Sequence, residues 1–152
     1  MNRILFVCHG NICRSPMAEF VMKHLVLQVG LESDFFIESA ATSFDAIGHD
    51  THPGTKEELK KHGVPFERRQ ARKLVAKDYD KYDYLIGMDE ENIYYMKKIL
   101  GGDSENKIYK LLEFCDENRE VADPWYTGNF SKTWNDVLRG CTALLEKLTN
   151  KD

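Results

Sequence analysis

Four short apolar runs, separated by segments of helical character, restrict the fold of this 152-residue chain more than any other feature of its sequence. Each run has the length and side-chain types of a β-strand. The runs lie at residues 3–7, 35–41, 82–88 and 107–114. Strands that alternate with helices form parallel sheets that need helical cover on both faces. The pattern therefore predicts an α/β fold: a single three-layer domain in which a four-stranded parallel sheet carries helices on both faces.

The segments between the runs contain start and stop signals of helices. Serine is preferred at a helix N-cap and proline at the first helical position, so Ser15 and Pro16 predict a helix start, and Gly30 predicts its end. Further helices are predicted at 54–62, 89–100 and about 131–148. No repeat, low-complexity tract or linker separates these elements. We therefore predict one domain over residues 1–152.

Charge and composition narrow the possible classes of function. The net charge of -4 disfavours non-specific binding to nucleic acid or to anionic lipid. No stretch approaches the roughly 18 consecutive apolar residues of a membrane span. The N-terminal residues do not form a secretory signal, so the four cysteines are expected to be reduced thiols. We expect a cytoplasmic protein, monomeric or weakly dimeric, that binds neither nucleic acid nor membranes.

The loop between the first predicted strand and the first predicted helix has the features of an anion-binding site. A helix N-terminus presents unpaired N–H groups and a partial positive charge. Gly10 allows the backbone to approach a ligand closely, and Asn11 is of a type that tolerates left-handed geometry. Arg14 adds a planar fork of donors that suits two phosphate oxygens. The candidate phosphate-binding residues of this N-terminal loop are His9, Gly10, Asn11, Ile12, Cys13, Arg14 and Ser15.

Cys8 stands where the first strand ends and this loop begins. A thiol beside a cation and a helix N-terminus tends to be ionised at neutral pH. A thiolate is a good nucleophile toward a phosphoryl group that Arg14 holds in place. Cys8 and Arg14 are therefore predicted to be the nucleophile and the phosphate ligand of a phosphoryl-transfer site.

A second group of candidate residues lies near the C-terminus, in Asp123-Pro124-Trp125-Tyr126. A leaving oxygen departs more readily when it is protonated, and Asp123, on a loop stiffened by Pro124, suits the role of general acid. Trp125 and Tyr126, together with Phe44, are predicted to flank a flat aromatic substrate. If the slot between these rings is deep, it favours phosphotyrosine over phosphoserine, because the longer tyrosine side chain carries its phosphate further into the slot.

With these residues in place, the chain resembles the low-molecular-weight protein-tyrosine phosphatases. The resemblance begins with V7-C8-H9-G10-N11-I12-C13-R14-S15-P16-M17-A18-E19, which matches the N-terminal signature of that family at nearly every position. It continues in the order of the family through residues 38–42, 88–92 and 123–126. The resemblance implies a metal-independent enzyme without a cofactor that hydrolyses a phosphotyrosine-containing protein or a small aryl phosphate.

The resemblance also implies roles for individual residues. Cys8 matches the nucleophile that becomes a phosphocysteine, Arg14 the phosphoryl ligand, and Asp123 the acid that later activates water. Asn11 and Ser39 match a pair that orders the loop, and Ser15 matches the hydroxyl that steadies the thiolate. The remaining implied supporting residues are Cys13, which in relatives forms a protective disulfide with the nucleophile, and Asp89, which follows the third strand.

The chain departs from the family pattern at two places. The family has a loop-contacting histidine just before an Ala-Arg-Gln stretch, whereas the local sequence here begins with Arg69. That departure puts one supporting contact of the loop in doubt. The family often has two tyrosines after Asp-Pro, whereas this chain has Trp125 and Tyr126.

Three other functions fit parts of the sequence. A thioredoxin-coupled arsenate reductase shares the fold and a similar loop, but residues 82–98 lack the two resolving cysteines that it needs. A phospho-carrier subunit of a sugar-uptake system would keep its phosphocysteine stable, which a loop arginine and an acid do not favour. A non-catalytic phosphotyrosine-binding module is expected to lose Cys8 or Asp123.

A metal site at His49 and His52 is not predicted, because no cysteine or carboxylate set completes it.

Overall fold

Four parallel strands form one sheet in the computed structural model, which describes residues 1–150. The strands are β1 (Asn2–Cys8), β2 (Phe35–Ala41), β3 (Tyr84–Gly87) and β4 (Ile108–Lys110). Their order across the sheet is β2-β1-β3-β4, and every pair is parallel. The carboxyl ends of parallel strands share one edge, and ligands bind at that edge in folds of this kind.

Helices cover both faces of this sheet. Within residues 1–150 the α-helices are α1 (Arg14–Gln28), α2 (Pro53–Lys61), α3 (Asp78–Lys81), α4 (Glu90–Leu100), α5 (Pro124–Thr127) and α6 (Phe130–Thr149). Two 3₁₀ helices of the same range occupy Glu32–Asp34 and Leu111–Cys115. α1, α2 and α6 contribute to the core on one face, and α3 and α4 to the core on the other. The predicted α/β architecture with a four-stranded parallel sheet and helices on both faces is confirmed.

β1 runs through the middle of the sheet and is buried on both faces. Ile4, Phe6 and Cys8 belong to the core beneath α1 and α6, whereas Leu5 and Val7 belong to the core beneath α4. Residues of a strand alternate between faces, and a strand covered on both sides is apolar at every position. The central position of β1 explains why its sequence is a continuous apolar run. The buried strand places Cys8 at the carboxyl edge of the sheet.

Several predicted boundaries are corrected by the structure. The run at 107–114 forms a strand only over Ile108–Lys110 and then becomes the 3₁₀ helix Leu111–Cys115. Leu111 and Leu112 are fully buried, and a short buried apolar run has the same sequence pattern in either conformation. The helix α3 was not predicted. α1 begins at Arg14, so Ser15 is a first-turn residue and not the N-cap.

Other helix signals are confirmed within a residue or two. Asp89 is the N-cap of α4, and Gly101, which follows its last residue, has a left-handed φ of 80°. None of the helices over residues 1–150 combines the length and the apolar character needed to cross a bilayer. The last two residues of the predicted 1–152 domain lie outside the described residues.

Candidate active site

The turn from β1 into α1 forms the floor of the candidate site. Cys8 is the last residue of β1, and Arg14 is the first of α1. Between them, Asn11 has a left-handed φ of 58° and is fully buried. A Cβ atom at Gly10 would lie 3.8 Å from its nearest neighbours, at ordinary contact distance. Asn11, and not Gly10, therefore has the left-handed backbone conformation in this loop.

The sulfur of Cys8 is held by the first turn of α1. The Oγ of Ser15 lies 3.0 Å from Cys8 Sγ, and the backbone N–H of Ser15 donates to the same sulfur at 3.4 Å. The amide Nδ2 of Asn11 donates to Ser15 Oγ at 2.7 Å, which leaves the serine hydroxyl proton free to point at the sulfur. The hydroxyl and backbone N–H of Ser15 and the N-terminus of α1 therefore all face the sulfur, an arrangement that suits a nucleophile.

Arg14 connects the loop to two distant segments of the chain. Its side chain is 3% exposed. Nη1 donates to Asp89 Oδ2 at 2.7 Å and to the carbonyl of Val121 at 2.9 Å, and Nη2 donates to Asp123 Oδ2 at 3.4 Å. Burial opposes the charge of Arg14, but the negative charges of Cys8, Asp89 and Asp123 outweigh it and raise the pKa of the guanidinium. A charged guanidinium is thus fixed beside the sulfur.

The carboxylates of Asp89 and Asp123 occupy different environments. The side chain of Asp123 is 22% exposed, and it lines the same cavity as Cys8. Pro124 follows it as the first residue of α5. Asp89, at the end of β3, contacts Arg14 but is not part of the cavity wall. Asp123 is therefore placed to exchange a proton with a ligand, and Asp89 to hold the guanidinium.

A cavity of about 210 Å³ opens above Cys8. Its wall consists of Cys8, His9, Gly10, Ile12, Cys13, Arg14, Asp45, Ala46, Asp123, Trp125 and Tyr126. Trp125 and Tyr126 are 63% and 83% exposed, so they stand at the mouth, while Cys8 is buried at the base. Phe44 is 77% exposed and is not part of this wall; the ammonium of Lys73 lies 4.9 Å from its ring centroid.

Most of the predicted phosphate-binding residues therefore meet at one place. His9, Gly10, Ile12, Cys13 and Arg14 line the cavity, whereas Asn11 and Ser15 are fully buried behind it. The structure brings Asp123, Trp125 and Tyr126 to the same cavity, but it leaves Phe44 outside.

Cys13 shares the cavity wall with Cys8. Burial, followed by the nearby charges of Cys8 and Asp123, raises the pKa of Cys13 to about 12, and Arg14 opposes that rise only in part. The carbonyl of Cys13 accepts a hydrogen bond from Thr55 Oγ1 at 3.0 Å. Cys13 is therefore a neutral thiol at physiological pH.

Two supporting contacts differ from those that the resemblance implies. Ser39 Oγ donates to Glu19 Oε1 at 2.5 Å and, within residues 1–150, makes no hydrogen bond to Asn11. The carbonyl oxygen of the Asn11 side chain accepts instead from the guanidinium of Arg69 and from the backbone N–H of Arg72 at 3.1 Å. The supporting contact that the missing histidine put in doubt is present, because Arg69 donates to the loop in its place.

Loop contacts that the sequence did not reveal complete the site. The backbone N–H of His52 donates to the carbonyl of Ile12 at 2.8 Å, and the ring of His52 lies 5.8 Å from that of Trp125. His9 Nε2 and Asp45 Oδ2 are 2.7 Å apart. No motif marked these pairs, because their members lie far apart in the chain. Over residues 1–150, no three His, Cys, Asp or Glu side chains are grouped as metal ligands.

Comparisons with known proteins agree with this geometry. The model of the family described as low molecular weight phosphotyrosine protein phosphatase matches residues 3–152. Low molecular weight protein-tyrosine-phosphatase YfkJ of Bacillus subtilis (strain 168) is 39% identical over 150 residues, which are 97% of this chain and 96% of that protein. The crystal structure of YfkJ has a TM-score of 0.95 at 38% identity and covers 100% of this chain and 97% of its own.

Two further relatives are similar over most of their length. Low molecular weight protein-tyrosine-phosphatase PtpA of Staphylococcus aureus (strain MRSA252) is 36% identical over 144 residues, 94% of this chain and 91% of that protein. The crystal structure of SP-PTP, the low molecular weight protein tyrosine phosphatase of Streptococcus pyogenes, has a TM-score of 0.88 at 38% identity and covers 99% and 95% of the two chains.

A parallel sheet with a cysteine and an arginine in the loop after its central strand, together with these relatives, defines a cysteine-dependent protein-tyrosine phosphatase. The chain belongs to the low-molecular-weight phosphotyrosine protein phosphatase family. The family resemblance and the enzyme class predicted from the sequence are confirmed.

Proposed function

We propose that this protein hydrolyses phosphotyrosine in proteins, and aryl phosphates generally, through a phosphocysteine intermediate and without a metal ion. One observation carries the proposal: Cys8, Arg14 and Asp123 line a single cavity whose mouth holds Trp125 and Tyr126. A nucleophile, a cation and an acid are the groups that this reaction needs.

In the first step, Cys8 Sγ attacks phosphorus while the bond from phosphorus to the tyrosine oxygen breaks. Arg14 and the amides of the loop bind the equatorial oxygens, where negative charge is spread in the transition state. Asp123 gives its proton to the departing phenolate oxygen, so tyrosine leaves neutral and Asp123 becomes a carboxylate. The phosphoryl group is then bonded to sulfur.

In the second step, the Asp123 carboxylate removes a proton from water as the water oxygen attacks phosphorus. The phosphorus–sulfur bond breaks, and its electron pair returns to Cys8 as thiolate. The hydroxyl of Ser15, 3.0 Å from that sulfur, stabilises the returning charge. Inorganic phosphate leaves, and Asp123 is again protonated for the next cycle.

The shape of the cavity supports an aryl substrate. Cys8 is 3% exposed at the base, so a phosphoryl group reaches it only on a side chain long enough to pass Trp125 and Tyr126. The flat faces of the two exposed aromatic rings suit a phenyl ring. We propose further that the protein acts in the cytoplasm as a monomer or weak dimer. All four of its cysteines are free thiols, as a reducing compartment would keep them.

The test is hydrolysis of p-nitrophenyl phosphate and of a phosphotyrosine peptide at mildly acidic pH, with EDTA and reductant present. We expect turnover by the parent protein, none by Cys8→Ser, and parental turnover by Cys115→Ser, whose cysteine lies outside the cavity. Phosphoserine peptide should be a poor substrate. Loss of activity on adding EDTA would contradict the metal-independent mechanism.

Two other outcomes would replace the proposal. A parent protein that accumulates phosphocysteine stable to water would be a phospho-carrier. One that binds phosphotyrosine peptide without turnover would be a binding module. Faster release of phosphate from phosphoarginine than from phosphotyrosine would keep the mechanism but change the substrate class.

A further inference from the structure

The side chain and backbone of Asn11 are surrounded by donors from a segment far away in sequence. Arg69 Nη1 donates to the backbone carbonyl of Asn11 at 3.0 Å, and Arg69 Nη2 donates to Asn11 Oδ1. The backbone N–H of Arg72 is a second donor to Oδ1. The guanidinium thus holds the peptide unit and the side-chain amide of Asn11 at once.

Asn11 passes this restraint on to the nucleophile. Its Nδ2 donates to Ser15 Oγ at 2.7 Å, and Ser15 Oγ lies 3.0 Å from Cys8 Sγ. Its left-handed φ of 58° sets the direction of the loop amides on either side. A change in the position of the Asn11 amide would therefore move both the sulfur and the amides that face the phosphoryl group.

Arg69 is itself anchored by its backbone. Its N–H donates to Asp50 Oδ1 at 3.1 Å, and Asp50 Oδ2 accepts from Lys56 at 2.5 Å. Partial burial of the side chain lowers the pKa of Arg69. The negative charges of Glu19, Cys8 and Asp50 act in the opposite direction but do not outweigh burial. Arginine nonetheless remains charged at any working pH. The cation is rigid and within electrostatic reach of Cys8.

We propose that Arg69 is a positioning residue of the phosphatase: its two hydrogen bonds to Asn11 fix the Cys8 loop, and its permanent charge stabilises the Cys8 thiolate from the side opposite the substrate. The effect on turnover rests on the proposed function, whereas the effect on Cys8 does not. The cations that interact with Cys8 are Arg14 and Arg69, and the thiol of Cys13 interacts with it too. Asp89 and Asp123 face Arg14, Glu19 and Asp50 face Arg69, and His9 and Asp45 line the same cavity as Cys8.

The experiment compares the parent protein with Arg69→Gln, Arg69→Lys and Arg68→Gln. Arg68 is the exposed neighbour of Arg69 and serves as the matched control. Two quantities are measured across pH: kcat and KM for p-nitrophenyl phosphate, and the rate at which iodoacetamide alkylates Cys8. Alkylation depends on the thiolate and needs no phosphatase activity.

We expect Arg69→Gln to lower kcat by about 10- to 100-fold, more than it changes KM, because a misplaced loop affects the transition state most. We also expect its alkylation profile to move to higher pH, since one cation has been removed. Arg69→Lys should restore the alkylation profile by its charge, but kcat only in part, because one ammonium cannot reproduce the two bonds of the guanidinium fork. Arg68→Gln should follow the parent.

A folded Arg69→Gln protein with parental kcat and parental alkylation profile would overturn the proposal. A lower kcat with an unchanged alkylation profile would overturn it too, since Arg69 would then serve the fold alone. Should Arg69→Gln fail to fold, full parental kcat in Arg69→Lys would be the contradicting result. If the parent hydrolyses no phosphate ester but the alkylation shift is seen, the proposed function falls and the positioning role stands.

Discussion

Asp89 and Asp123 have the same arrangement around Arg14. Each carboxylate accepts a backbone N–H at the start of a helix with Oδ1 and a guanidinium N–H with Oδ2. The distances to the guanidinium differ: 2.7 Å for Asp89 and 3.4 Å for Asp123. Of the two, Asp123 lines the cavity. One carboxylate is thus committed to the arginine, and the other remains available to a ligand.

This difference predicts separate kinetic effects for two equivalent substitutions. Asp123→Asn should lower kcat for phenyl phosphate by about 100-fold, because the poor leaving group needs the proton. The loss should be smaller for p-nitrophenyl phosphate, whose phenolate leaves unaided. Asp89→Asn should lower activity about tenfold for both substrates, because it weakens a charged hydrogen bond that orients Arg14. Steady-state rates over a series of substituted phenyl phosphates measure the contrast. Equal dependence on the leaving group in the two variants would refute the assignment of the acid.

The two cysteines of the cavity predict a reversible response to peroxide. Hydrogen peroxide oxidises the Cys8 thiolate to the sulfenic acid, and the second peroxide oxygen leaves as hydroxide, which takes a proton from the solvent and becomes water. Cys13, which shares the cavity wall, then loses its proton and attacks the sulfenic sulfur, so that the disulfide forms and the sulfenic hydroxyl leaves as a second water. Because burial raises the pKa of Cys13 to about 12, this step should be faster at higher pH. Dithiothreitol should restore the activity of the parent fully. We expect Cys13→Ser to be inactivated as fast but to recover incompletely, and equal recovery in the two proteins would show that Cys13 has no protective role.

The environment of Asp50 leads us to expect that the folded protein loses stability in acid. Its hydrogen bond to Lys56, helped by the backbone N–H groups of Arg69 and Thr51, lowers its pKa to about 2, against 3.8 for an ordinary aspartate. A carboxyl with a lowered pKa in the folded state stabilises the fold above the unfolded value and loses that contribution as pH falls from about 4 toward 2. Asp50→Asn should therefore reduce the difference in unfolding free energy between pH 5 and pH 2.

Urea denaturation at each pH measures this effect, and Glu57→Gln, at an exposed carboxyl of the same region, is the control. Because the Asp50–Lys56 pair is partly exposed, the effect should shrink as salt is added. A parental pH dependence in Asp50→Asn would contradict the prediction.

Close packing at Gly140 in α6 leaves no space for a larger side chain unless a neighbour shifts. A Cβ atom there would lie 2.4 Å from Cγ of Leu111, a fully buried side chain, so Leu111 or the helix would have to shift. Alanine gains about 1 kcal/mol of helix propensity over glycine, but overpacking of a core commonly costs about 1–3 kcal/mol. Gly140→Ala should therefore unfold at lower urea concentration than the parent while it keeps its activity. Thr142→Ala, at an exposed position of the same helix, tests propensity alone, and a stabilised Gly140→Ala would show that Leu111 yields.

Local chemistry accounts for what the sequence predicted well. The strand that ends at Cys8, the left-handed Asn11 and the approximate start of α1 follow from neighbouring residues, because strand burial, backbone sterics and the preference of proline for a first helical turn act over a few positions. The same holds for α4, with Asp89 at its start and Gly101 after its end. The family signature in this loop added the roles of Cys8 and Arg14 as expectations.

The sequence prediction was wrong or silent where a short segment has the same hydrophobic pattern in two conformations or is too short to show a pattern. Leu111 and Leu112 are apolar in a strand and equally apolar in a buried 3₁₀ helix, and contact with α6 selects the helix. α3 contains only Asp78–Lys81, too few residues for a visible period. Asp78 accepts hydrogen bonds from Arg72 and from the backbone of Val75, and these contacts exist only in the folded chain.

The sequence by itself determined the sheet, the cysteine loop and the residues able to do phosphoryl chemistry, because these follow from periodicity and from the chemistry of adjacent side chains. Only the tertiary structure decided which distant residues complete the loop. Arg14 meets Asp123 across 109 positions, and Arg69 meets Asn11 across 58. Parallel strands bring such segments to one edge, where hydrogen bonding and charge select the partners. That selection placed Arg69 on Asn11, Ser39 on Glu19, and Phe44 outside the cavity.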